Sequence, residues 1–90
     1  MVSVSSREEA NDDHLVSVYP NPAEDLVKIE VHEWLVDGAD YHLYGVDGRL
    51  LRSGHFSSST QVDLEGLAPG MYLLEVLGEG LRSTQRLVKN

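Results

Sequence analysis

The amino-acid sequence predicts an all-β fold, a seven-stranded antiparallel immunoglobulin-like β-sandwich. Three observations predict it. From Leu15 onward, short apolar runs are broken by Gly, Pro, Asn, Asp and Ser clusters roughly every 8–12 residues, the spacing of sandwiches and barrels. No run keeps the 3.6-residue apolar period of a helix, and at most one helical turn fits between Glu33 and Asp37. The chain has 90 residues, 41% of them apolar, which suits one packed core and not two.

Residues 1–14 are expected to form a flexible acidic linker, with Ser3, Ser5, Ser6, Glu8, Glu9, Asn11, Asp12 and Asp13 in no sustained period. Such a stretch buries too little apolar surface to offset the entropy of ordering, and its acids lack the spacing of a calcium loop. Residues 15–90 form the folded domain. Leu15 to Tyr19 is a first strand, stopped by Pro20. Leu26 to His32 alternates: Val27, Ile29 and Val31 point one way and Lys28, Glu30 and His32 the other, as in a half-buried strand. Asp37-Gly38 turns the chain into a third strand, Tyr41 to Val46. Asp47-Gly48 then joins it to Arg49–Ser53, in a hairpin whose two turn residues are both expected at positive φ. After the serine loop 57–59, Thr60 to Leu64 alternates with Val62 and Leu64 inward. Met71 to Leu77 is the most apolar strand and is placed centrally, and Gly78-Glu79-Gly80 leads into the last strand, Leu81 to Lys89.

Composition excludes several functions. The formal net charge is −8, from 7 basic and 15 acidic residues, so a nucleic acid or an anionic membrane surface repels the chain at long range. With no cysteine there is no disulfide or thiolate-metal framework, and no apolar run of about 18 residues is present to insert in a membrane. Val2 to Asp13 lacks the apolar centre of a secretory leader. His14, His32, His42 and His55 show no metal-ligand spacing, although His32 and His42 are candidates to meet across strands. The serines cluster in linker and loops, away from any shaped Ser-His-Asp site. No catalytic, cofactor or metal residue is therefore assigned.

Three turn motifs follow one another along the chain. In Tyr19-Pro20-Asn21-Pro22-Ala23, two prolines fix φ around an Asn able to close an Asx turn, giving a rigid corner. Tyr44-Gly45-Val46-Asp47-Gly48-Arg49 is the hairpin. Leu67-Ala68-Pro69-Gly70-Met71-Tyr72 is a Pro-Gly turn feeding the apolar strand, with Tyr72 placed to bond back to upstream backbone as a tyrosine corner does.

These three motifs in this order, followed by a basic tail with Arg86 and Lys89, resemble the type A C-terminal sorting domain of proteins exported by the type IX (Por) secretion system of Bacteroidetes-type bacteria. The resemblance spans about Leu15 to Asn90. It departs from the family pattern at Gly45, where an Asp is usual, and at the tail, where Asn90 follows Lys89. It implies an immunoglobulin-like sandwich that acts as a secretion signal and not as an enzyme. The implied partners are an N-terminal cargo domain, the outer-membrane translocon with its shuttle proteins, and a surface sortase. The sortase removes the domain and joins the cargo to lipopolysaccharide. The implied route runs through the periplasm to the cell surface or the medium.

The candidate recognition residues are thus Pro20, Asn21, Pro22, Gly48, Arg49, Pro69, Gly70, Tyr72, Arg86 and Lys89. Most have a purely structural reading beside the functional one: the prolines, Asn21, Gly48, Gly70 and Tyr72 as shape, Arg49 as a partner of Asp47. Trp34 is open to two readings, an exposed anchor or, more commonly for a lone Trp, a cap on the core. The last strand is expected at a sheet edge, where another chain can pair with it. An adhesion or carbohydrate-binding module on the same scaffold is the alternative function. It is weakened by the scarcity of aromatics, with Tyr41, Tyr44 and Tyr72 all suited to the core.

Overall fold

A computed structural model of the protein describes residues 13–90. The linker expected at 1–14 lies outside the described residues except for its last two positions, which open a 3₁₀ turn, Asp13–Leu15. Seven strands follow: β1 (Val16–Tyr19), β2 (Leu26–Val31), β3 (Ala39–Tyr44), β4 (Leu50–Phe56), β5 (Ser59–Asp63), β6 (Gly70–Gly78) and β7 (Leu81–Lys89). They form two antiparallel sheets, β1-β2-β5 and β4-β3-β6-β7. The constant-type immunoglobulin sandwich puts four strands in the first sheet and three in the second. Here β4 lies beside β3 instead, so the division is three and four.

The alternation of the sequence fixes which side chains meet. Val16, Val27, Ile29, Val31 and Val62 of the first sheet pack on Ala39, Leu43, Phe56, Tyr72, Leu74, Val76, Leu81 and Leu87 of the second. Ala23 and Leu64, from loops, complete the core. Tyr41 also packs against it, because its ring lies over Gly54, where a β-carbon would stand 2.7 Å from a ring atom. Ser83 is buried, and its hydroxyl accepts a hydrogen bond from Gln85, whose amide also reaches the Val16 carbonyl on the facing sheet.

Four expectations are corrected. The Asp47-Gly48 hairpin does not have two positive-φ residues, since only Gly48 does, at +86°. Gly48 N–H bonds Gly45 O at 2.9 Å and Gly45 N–H bonds Arg49 O at 3.0 Å, a type I turn closed by a glycine bulge, which lets Asp47 keep an ordinary backbone. A further shift of register leaves Leu51 unpaired and packed on the core. Trp34 does not cap the core but stands 85% exposed, because its neighbour Leu35 fills that position and adjacent side chains of an extended segment point apart. His32 and His42 do not meet: one follows β2, and the other lies in β3 of the opposite sheet. Tyr44, expected in the core, instead lies on the outer face of the second sheet, paired with Leu50 and Leu73, because its strand alternates about inward Leu43. Among the described residues no helix is long and apolar enough to cross a membrane.

Candidate functional site

Antiparallel topology sorts the loops into two poles. The loops at 20–25, 45–49 and 64–69 and the end of β7 lie at one pole, and the loop 32–38, the turns at 57–58 and 79–80, and the start of β1 lie at the other. All three sequence motifs and the basic tail therefore share one pole, and the chain enters the domain at the opposite one.

At the motif pole the Pro20-Asn21-Pro22 corner, in which both X-Pro bonds are cis, runs along the outer edge of β7. Asn21 does not close a turn on its own backbone. Its side-chain amide donates to Arg86 O at 2.8 Å, and its side-chain oxygen accepts from Val88 N–H at 3.0 Å. One side chain thus makes the two bonds that a neighbouring strand residue would make. Ala23 continues the pairing, donating to Val88 O and accepting from Asn90 N–H, both at 2.8 Å, in a short parallel bridge. The last strand is an edge strand by sheet order, but from Arg86 to Asn90 its outer edge is occupied by this latch. The expectation of an open terminal edge is corrected there. The prolines explain why the latch stays narrow, since neither has an N–H to extend the ladder.

The hairpin and the Pro-Gly corner face each other across a shallow groove lined by Val46, Arg49, Leu51, Leu67, Pro69 and Met71 among others. Tyr72 is buried and its hydroxyl donates to Ala68 O, closing the corner as the sequence pattern anticipates. Pro69 lies in the corner and Gly70 opens β6. Gly48 stands where an added β-carbon meets nothing, so only its backbone angle requires glycine. Arg49 is exposed, and its guanidinium nitrogen is 3.9 Å from Asp47, whose other oxygen accepts the Arg49 N–H. This pair is loose and solvated, leaving the guanidinium available to a partner.

The two basic residues of the tail part ways. Arg86 is exposed on the outer face of β7. Lys89 points inward with its side chain only 10% exposed, donating to Leu67 O at 2.7 Å with Asp25 at 3.9 Å. Its charge is consumed in tying β7 to the Pro-Gly corner. Of the two tail cations named from the sequence, Arg86 is thus the exposed one.

Sequence reasoning missed Arg52. It faces inward opposite Leu43, and its guanidinium donates to Leu51 O, Asp63 O and Glu65 O at 2.9–3.1 Å, clasping the two sheets where β4 meets the end of β5. The available signal was a cation at an inward strand position, which needs partners to be tolerated. At the other pole the Asp40 carboxylate, 2.6 Å from His55 Nδ1, raises the imidazole pKa above its ordinary value. Among the described residues no cluster of three acids or histidines is arranged to hold a metal.

Comparison with curated proteins gives no match. A family model does match, that of the secretion system C-terminal sorting domain, over residues 17–90, which takes in all three motifs, the latch and the tail. The protein therefore belongs to the family of type IX secretion C-terminal sorting domains.

Proposed function

We propose that this domain carries an N-terminal cargo across the outer membrane by being recognised, folded, by the type IX translocon and its shuttle proteins. A surface sortase then cuts the chain in the linker before Leu15 and joins the cargo to lipopolysaccharide. The domain acts as ligand and substrate, passing through the periplasm and ending at the cell surface or in the medium. Family membership supports the sorting role. One observation carries the mechanism: the three motifs and the terminal strand share one pole, and the chain enters at the other. A partner can grip the motif pole without covering the point at which the chain enters β1. Arg49 and Arg86 are the exposed cations of the motifs. Pro20, Asn21, Pro22, Gly48, Pro69, Gly70, Tyr72 and Lys89 shape the pole that presents them.

The test is export. Residues 1–90 are fused behind a periplasm-targeted fluorescent protein in a bacterium with a type IX system. Fluorescence at the surface or in the medium, abolished when the translocon is disabled, is the expected outcome. An intact, folded fusion held in the periplasm overturns the proposal and brings the adhesion-module alternative forward.

A further inference from the structure

The outer face of the four-stranded sheet divides in half. Across all four strands at the motif pole, register places Leu50, Tyr44, Leu73 and Arg86 in one row. Met71 and Val88 form the next row toward the pole, on the same face. Leu50, Met71, Leu73 and Val88 are each 37–49% exposed, and Tyr44 is half-buried. Toward the other pole the rows turn polar: Ser53, His42, Glu75 and Thr84, then His55, Asp40, Leu77 and Arg82. On an alternating strand an outward position is ordinarily polar. A contiguous group of large apolar residues on a solvent face marks an interaction surface.

The charge on this patch identifies its occupant. In a chain of net charge −8, the outward strand positions of this half contain no acid and one cation, Arg86. The nearest outward acid, Glu75, is only 20% exposed and faces His42 at 3.4 Å and the Tyr44 hydroxyl at 3.5 Å. Exposed Arg49 extends the positive character around the hairpin, and Met71 joins the patch to the groove between hairpin and corner. A two-fold contact of this patch with a second copy of itself would cover two Arg86 guanidiniums with no carboxylate in the patch to meet them. The segment preceding Val16 enters at the far pole. We infer that the apolar patch Leu50, Tyr44, Leu73, Met71 and Val88, with Arg86 at its edge, is the face by which the export machinery holds the domain. The matching surface on that partner is apolar with at least one carboxylate placed for Arg86. Arg is suited to this, because its planar fork binds a carboxylate in two places while its stem lies on apolar surface.

This inference rests on the sorting reading, and the experiment separates the two. The full-chain fluorescent fusion is compared with Arg86→Glu, with Leu73→Glu, and with Lys28→Glu, an equal charge change on the outer face of the other sheet. Export of Arg86→Glu and Leu73→Glu is expected to fall by about tenfold or more, with Lys28→Glu near wild type. Thermal melts of the purified variants show whether Leu73→Glu folds. Arg86→Glu, which alters an exposed side chain, carries the test if it does not. Wild-type export with undiminished Arg86→Glu export overturns the patch while leaving the sorting role intact. Retention of the wild-type fusion overturns the sorting role and the patch together. Sedimentation of the purified domain as a dimer that Arg86→Glu disperses overturns the assignment of occupant in favour of a second copy.

Discussion

The two poles of the sandwich are built differently. At the motif pole, side chains reach across the chain to main-chain groups far away in sequence: Asn21 to β7, Lys89 to Leu67, Arg52 to Asp63 and Glu65, with Tyr72 closing its own corner. At the N-terminal pole the Gln85 amide makes one comparable tie, to Val16 O on the facing sheet. The other ties named among the described residues lie at the surface or join near neighbours in space at the strand ends. His32 N–H bonds Leu15 O, the Ser17 hydroxyl meets His32 Nε2, and His55 meets Asp40 at the surface. Trp34 and Val36 stand out in solvent there. Side-chain-to-backbone bonds between distant segments fix loop geometry without needing more core, which a small domain lacks. The difference teaches that the motif residues are mainly the braces of a rigid surface. Arg49 and Arg86 are the candidate residues whose charged groups stay exposed.

The largest effect expected on this contrast comes from Tyr72. Tyr72→Ala empties a buried aromatic site at the motif pole and should destabilise the domain by about 3–4 kcal/mol, and Tyr72→Phe, losing only the bond to Ala68, by about 1 kcal/mol. Equilibrium denaturation measures both, and a Tyr72→Phe domain as stable as wild type would show that the corner bond contributes nothing. Asn21→Ala, which removes the two side-chain bonds of the latch and leaves the two made by Ala23, should cost about 1–2 kcal/mol and lower Tm by roughly 4–12 °C. Its diagnostic is hydrogen exchange: the Val88 amide should lose protection while amides in the middle of β6 keep theirs. Unchanged Val88 protection would break the claim that Asn21 covers the edge.

Gly48→Val should cost on the order of 1–2 kcal/mol through its +86° φ alone. At the other pole, Trp34→Ala should change stability by no more than about 0.5 kcal/mol despite the size of the residue lost. A loss of several kcal/mol would mean that the N-terminal pole is braced too. The smallest effect is electrostatic. The bond to Asp40 raises the His55 pKa, outweighing the opposing effect of desolvation. A pKa raised in the folded state adds stability that is complete below the ordinary imidazole pKa and is lost as pH rises through the folded value. Both side chains are more than half exposed, so solvent screens the gain, and the readout is the ring itself. The His55 NMR titration midpoint should fall toward the ordinary value in Asp40→Asn, and an unmoved midpoint would remove Asp40 as its cause.

The poles also bear on a simple truncation. Removing Leu87 to Asn90 is an obvious way to test a terminal signal, but Leu87 is fully buried and Lys89 ties β7 to the Pro-Gly corner. Loss of export in that truncation would follow from unfolding as readily as from loss of a contact, which is why Arg86→Glu is the sharper variant.

The sequence by itself determined the strands, their inward faces and the three turns, because these depend on local alternation and on the backbone limits of Gly, Pro and Asn. Val27, Ile29, Val62 and Leu64 are inward as their spacing requires, and the seven runs became seven strands with ends displaced by a few residues. The family, too, was legible in the order of the motifs. What only the tertiary structure decided depends on groups brought together across long stretches of chain. Asn21 could not be known to pair with residues 65 and 67 positions away, nor Lys89 to be spent inside the fold while Arg86 stays free. Leu35 displaced Trp34 from the core because the geometry of the loop, and not side-chain size, chose which neighbour points inward. The apolar patch was invisible for the same reason: Leu50, Tyr44, Leu73 and Val88 come from four strands, and only cross-strand register makes them one surface.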